Sequence, residues 1–185
     1  MAPVIAEVGR ALSALLYEEL GREVQLSLDA PVGDMSVRVD VSLFDLAEDV
    51  TRRQHGAVRL HDEDGRVVGV RPPPRYIVLS YAVTAWAVDP LAAHGLLDAV
   101  LQMALRHPVL PPEHLASIAE PVTMALRDAP PGLCAGLGIP LKAAVCLAVT
   151  VPVTPDMARP VGPPVGTGLR LSIADPQHRP ALTEA

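Results

Sequence analysis

Histidines, cysteines and one dense acidic run are the residues whose chemistry this chain could use, so their spacing is the first test of a catalytic or metal-binding role. His55, His61, His94, His107, His114 and His178 form no H-E-x-x-H pair and no helix-spaced pair backed by carboxylates. The apolar spacing around His94 predicts an imidazole on the core side of its helix, hydrogen-bonded in the interior or at an interface. His107, before Pro108, is placed to close the helix C-terminus. Cys134 and Cys146 lack C-x-x-C spacing and read as reduced, buried thiols, neither zinc ligands nor a disulfide framework. The run His61-Asp62-Glu63-Asp64-Gly65 could hold calcium only if further ligands converged on it, and the EF-hand pattern is absent. A solvated hairpin tip explains the same residues. No G-x-S-x-G elbow surrounds a serine, and Gly132, Gly136 and Gly138 in GLCAGLGIP match neither nucleotide-binding glycine pattern, so they read as a turn. The residues call for no cofactor and no metal. An active site built from residues distant in sequence would leave no local motif, so an enzyme stays among the readings.

Composition bounds the class. A length of 185 residues fits one domain plus a tail, and with 50% hydrophobic residues but only Trp86, Phe44, Tyr17, Tyr76 and Tyr81 as aromatics, the core must be aliphatic. The formal net charge of −6, with no basic run beyond Arg52-Arg53, gives no footprint for nucleic acid or an anionic membrane. The opening MAPVIAEVGRALSALL has no basic lead and is interrupted by Glu7 and Arg10, so it reads as neither signal peptide nor anchor. Tyr76 to Val88 is too short to span a bilayer as a helix. The expected compartment is the cytoplasm.

The elements follow from periodicity. Val4, Val8, Ala11, Leu12, Leu15, Leu16 and Leu20 predict an amphipathic helix over residues 3–20 that stops at Gly21, with Glu7, Arg10, Glu18 and Glu19 facing solvent or a partner. Residues 36–44 alternate as a half-buried strand. A hairpin follows, turning at Asp64-Gly65 through positive φ angles and ending at Pro72-Pro73-Pro74. Residues 77–87 alternate with apolar residues on both faces, the pattern of a central strand. Asp89-Pro90 then caps a second helix, on which Leu91, Leu97, Val100, Leu101, Ala104 and Leu105 keep helical spacing to His107. A helical turn over 113–118, a strand over 121–126 and an apolar strand from Ala143 complete the pattern. The fold class predicted is α+β, a mixed or antiparallel sheet flanked by two main helices in a domain over residues 1–153. A Pro-rich arm over 154–185 carries one alternating piece, Leu169, Arg170, Leu171, Ser172 and Ile173, which reads as an edge strand of its own domain or as a strand offered to another protein.

The stretch RPPPRYIVLSYAVTAWAVDPLAAHGLLDAVLQMALRHPVL resembles the core signature of the cap, or tail-terminator, family of extracellular contractile injection systems of the Photorhabdus virulence cassette and antifeeding prophage type. The marks are Pro72-Pro73-Pro74, Leu79-Ser80-Tyr81, Thr84-Ala85-Trp86 leading into Asp89, His94, Leu96-Leu97, Leu101-Gln102 and His107-Pro108. The ALSALL helix, the VSLFDLAED strand exit before Arg52-Arg53, and ALRDAPPGLCAGLGIPLKAAVCLAVTVPV extend the likeness over most of residues 3–153. One departure is Leu133-Cys134, where many members carry Leu-Trp.

The resemblance implies a structural protein without catalysis that forms a ring, six copies being the expected number, on the last layer of an inner tube and touches the contractile sheath. Its implied partners are itself, the tube protein and the sheath protein, in a phage-tail-like particle assembled in the cytoplasm, which either stays there or leaves by lysis. Within that reading, residues 169–173 are the candidate sheath-contact strand. Arg52 and Arg53 are candidate ring or tube contacts, since no partner for them is visible in the sequence. A soluble adaptor that binds a peptide or cargo protein outside any particle is the first alternative, and the enzyme with a non-local site the second.

Overall fold

Apolar residues at three- and four-residue spacing wind the first described segment into helix α1 (Val4–Leu20). The computed structural model describes residues 3–28, 37–155 and 157–161. α1 buries Val8, Ala11, Leu12, Leu15 and Leu16 and stops where Gly21 takes a φ of 82°, its N–H bonding the Tyr17 carbonyl at 3.1 Å. Two strands follow, β1 (Gln25–Ser27) and β2 (Arg38–Glu48). The alternation expected over 36–44 thus runs on to Glu48; a register shift between Leu43 and Asp45 lets the strand continue, and Ser36 lies outside the described residues.

A short 3-10 turn (Val50–Arg52) leads into the expected hairpin, β3 (Val58–His61) and β4 (Val67–Arg71). Only Gly65 has a positive φ, 77°; Asp64 does not. The turn is held instead by the Asp62 carboxylate, which accepts the Arg66 N–H at 2.8 Å, so a two-residue turn with both φ angles positive was the wrong expectation. Strand β5 (Arg75–Trp86) comes next, then helix α2 (Pro90–Arg106). Asp89 accepts the Leu91 N–H at 3.1 Å at its start, and the His107 N–H bonds the Met103 carbonyl at 3.0 Å at its end. A 3-10 turn (Pro112–His114), β6 (Thr123–Leu126), a single-turn helix α3 (Leu133–Gly136), β7 (Ala144–Val153) and β8 (Arg159–Pro160) complete the described chain.

The principal sheet has the order β1-β2-β5-β7-β6, parallel only between β1 and β2, so it is mixed with β5 at its centre. Leu79, Tyr81, Val83 and Ala85 of β5 and Leu147, Val149 and Val151 of β7 point to one face, where α1 and α2 complete a single aliphatic core. Each Leu or Val fully buried there stabilises the fold by about 1.5–3 kcal/mol. The opposite face was expected to be apolar too. It is buried but small and polar at its centre, with Asp40, Ser42, Ser80 and Thr84 among the least exposed residues of the chain.

The second sheet, β3-β4-β8, is a separate three-stranded ribbon. It springs from the end of β2 and the start of β5, and β8 joins it from the segment after β7. Gly69 makes that closure possible: a Cβ there would sit 3.1 Å from the Arg159 carbonyl oxygen and 3.5 Å from Leu60 Cδ1. β8 is held by only two register pairs, Gly69 with Pro160 and Val70 with Arg159. Gly69→Ala is therefore expected to release β8 while leaving the β3–β4 hairpin and the global stability within about 0.5 kcal/mol of wild type. Faster thermolysin cleavage of the Met157–Ala158 bond at an unchanged melting temperature is the result that checks this.

Candidate interaction surfaces

The sequence places Glu7 on the outer side of α1, and the structure corrects this. Glu7 is 5% exposed, its carboxylate accepting the Ser117 N–H at 2.7 Å and the Ser117 hydroxyl as well. This clasp ties α1 to the loop after α2. The Ser117 hydroxyl and N–H hold the carboxyl below its ordinary value of 4.5. A carboxyl depressed in the folded state contributes stability that is present above its unfolded value and is lost as pH falls through the folded one. Acidification below pH 4.5 should therefore lower the urea midpoint of the wild type more steeply than that of Glu7→Gln, which carries no such charge. Parallel pH profiles for the two proteins would count against the clasp.

His94 also departs from expectation. It is exposed, as are Leu91 at 75% and Leu105 at 60%, because the buried stripe of α2 is Ala93, Leu97, Val100, Met103 and Ala104. Two apolar stripes compete on this helix, and the one that includes Met103 meets the sheet.

Arg52 and Arg53 stand at the root of the ribbon, and each has a partner within the chain. Arg53 grips Glu48 through Nη2 at 2.5 Å and Nε at 3.0 Å, and Arg75 reaches the same carboxylate at 3.0 Å. The Arg53 hydrogen bond, followed by that of Arg75, holds Glu48 below the usual carboxylate range. Arg52 lies 3.6 Å over the Tyr76 ring, and the Tyr76 hydroxyl donates to Glu120 at 3.2 Å. Asp49 caps the intervening turn, accepting from the Thr51 hydroxyl at 2.6 Å and its N–H at 3.1 Å. Glu48 is five residues from Arg53 and was overlooked, whereas Tyr76 and Arg75 are non-local and left no trace beside Arg52 and Arg53. Residues 169–173 lie outside the described residues.

On the polar face, Arg127 donates to Ser80 Oγ and lies 3.7 Å from Asp45, while Lys142 sits 4.4 Å from the centre of the Trp86 ring. Thr51 holds Asp49 below its ordinary range and Glu48 holds Arg53 above its own, while burial pushes Tyr81 up to about 12 and the Cys146 thiol also upward. Each shift drives its group further into the charge state it already has at neutral pH, the opposite of tuning for acid, base or nucleophile work. His61, Asp62, Glu63 and Asp64 line the exposed ribbon tip. Among the described residues no group of three or more His, Cys, Asp or Glu side chains is placed to hold a metal ion, and no helix is long and apolar enough to cross a membrane. What the surface does offer is extended protein: an exposed ribbon, an outward stripe on α2 and a loop whose Leu141 is 98% exposed.

Comparison with known proteins places this architecture. The sequence model of a family described as the Pvc16 N-terminal domain matches residues 7–167. Among solved structures, the chain is similar to the PVC sheath/tube terminator of an extracellular contractile injection system in its extended state, solved by cryo-EM. That similarity has a TM-score of 0.65 at 21% identity and covers 93% of this chain and 66% of the other. It is also similar to the anti-feeding prophage cap, a tube-terminating cap, with a TM-score of 0.63 at 20% identity, covering 84% of this chain and 57% of that one. The chain thus spans roughly three-fifths to two-thirds of the length of these structures. No curated protein sequence matches it.

Proposed function

The chain belongs to the family of the Pvc16 N-terminal domain, and from that premise we propose that it is a structural cap of a contractile, phage-tail-like injection system. In this reading six copies form a ring that ends the inner tube and contacts the sheath, assembled in the cytoplasm within the particle. The observation that carries the reading is the extent of the shared fold: 93% of the chain is covered by a sheath/tube terminator. The architecture suits the task. A rigid mixed sheet with one helical layer can hold a ring subunit's shape, and capping a polymer requires broad complementary surfaces, which the ribbon and α2 offer.

Arg52 and Arg53, both solvent-exposed, are proposed to face the tube or a neighbouring copy with the guanidinium edges that Glu48 and Tyr76 leave open. Charge reversal at both, with ring and particle unchanged, would remove that assignment. Residues 169–173 are proposed to pair with a sheath strand, and truncation after Thr154 with unaltered sheath binding would remove that one.

The deciding experiment is the length distribution of particles, by negative-stain electron microscopy, from cells with and without this protein. Overlong, uncapped or unsheathed tubes in its absence are the expected result. Particles of normal length and number would overturn the cap assignment and favour a soluble adaptor.

A further inference from the structure

One face of the β3-β4-β8 ribbon carries apolar and cationic residues in register. Arg59 lies opposite Val70, and Val70 opposite Arg159, so two arginines flank a valine across three strands. At the usual strand spacing their backbones are about 10 Å apart. The Val161 N–H continues the pairing to the Val68 carbonyl at 3.3 Å, and residues two apart on a strand share a face, so Val68 and Val161 join the same surface. They are 48% and 46% exposed. Neither Arg59 nor Arg159 has an acidic partner among the described residues.

A valine row bounded by arginines fits a surface that is apolar at its centre and acidic at its edge. The chain itself provides one. Along α1, Ala14, Tyr17, Glu18 and Arg22 line a groove of about 530 Å³. The Tyr17 side is partly open at 38% exposure, and the Glu18 side chain, 64% exposed, lies 3.4 Å from His114 and shares the groove with Arg22. Glu23 and Glu113, both exposed and next in sequence to Arg22 and His114, extend the acidic edge.

We infer that the Arg59/Val70/Arg159 face of one copy docks into the α1 groove of the next, head to tail. The inference rests on the ring reading above and supplies the contact that reading leaves unnamed. Donor face and acceptor groove are different surfaces of one chain, so the contact is heterologous, the kind that closes into a ring when its rotation allows.

Charge swapping tests it. Arg59→Glu/Arg159→Glu makes the ribbon acidic, and Glu18→Arg/Glu113→Arg makes the groove basic. All four positions are at the surface, and unchanged circular-dichroism melts would confirm folding. Each double variant alone is expected to shift self-association to concentrations on the order of 100-fold higher in sedimentation velocity. An equimolar mixture should restore assembly, because alternating copies then place opposite charges at every junction. In purified particles, Val68→Cys/Tyr17→Cys protein treated with a short bismaleimide should give a ladder of covalent oligomers. Variants that associate as the wild type does would overturn the contact. So would a chain that is monomeric both in solution and on particles, or crosslinks from position 68 that lead only to tube protein, sheath protein or residues 162–185. Particles of normal length in cells lacking the protein would instead sink the cap reading, with the charge-swap result in solution still deciding this contact.

Discussion

Replacing Arg38 by methionine is expected to cost the fold about 3–5 kcal/mol, as breaking a buried ion pair from one side does. Arg38 and Asp40 are two residues apart on β2 and therefore share the small polar face of the sheet. Arg38 Nη2 donates to Asp40 Oδ2 at 3.2 Å and Nε lies 2.8 Å from Oδ1 as an ion-pair contact, with the side chains 11% and 1% exposed. Methionine keeps the aliphatic stem but leaves the Asp40 charge in a dry site without this guanidinium. The companion Arg38→Met/Asp40→Leu should regain most of the loss, since a buried pair replaced as a unit is often neutral. Urea denaturation of the two singles and the double decides it. A single-variant loss under about 1 kcal/mol would mean that the pair is not the anchor of this face.

Leu147→Ala should cost about 2–5 kcal/mol and lower the melting temperature by roughly 4–20 °C. Leu147 is fully buried near the middle of β7, in register with Tyr81 on one side and Leu126 on the other. The principal sheet is closed on each side of it, leaving little freedom to collapse into the void. Leu141→Ala is the matched control: the same atoms are removed from a side chain that is 98% exposed. Its stability should stay within about 0.5 kcal/mol of wild type. Equal losses at the two positions would contradict the packing described for β7.

The strands were legible where one rule acted alone. Alternation at Leu79, Tyr81 and Val83 identified β5 and its burial on both sides, and Asp89-Pro90 marked the start of α2 to the residue, because capping is local chemistry. The reading failed where a distant residue decided the outcome. Glu7 looks solvent-facing by helical spacing, yet Ser117, 110 residues away, supplies two donors that make its burial favourable. α2 offered two apolar stripes, and nothing within residues 90–106 says that Ala93 and Met103, and not Leu91 and Leu105, meet the sheet. The partner of Arg52 was hidden for the same reason, since Tyr76 is brought to it by the pairing of β5 with β2, whereas Glu48, only five residues before Arg53, was within reach of the sequence and was overlooked. Interaction surfaces leave weaker traces still. The alignment of Arg59, Val70 and Arg159 exists only once three strands are in register.

The unequal pairing of β7 and β8 gives the protein a mechanical character. β7 is held to β5 by ten consecutive register pairs, Arg75 with Val153 through Thr84 with Ala144, whereas β8 is held to β4 by two. A pull on the chain beyond Val161 therefore reaches the weak attachment first. β8 peels away, and the freed residues between Val153 and Val161 straighten toward a full length of roughly 25 Å before any load falls on the core strand. The ribbon thus works as a fuse: tension is spent at its outer edge, and the central sheet keeps its shape.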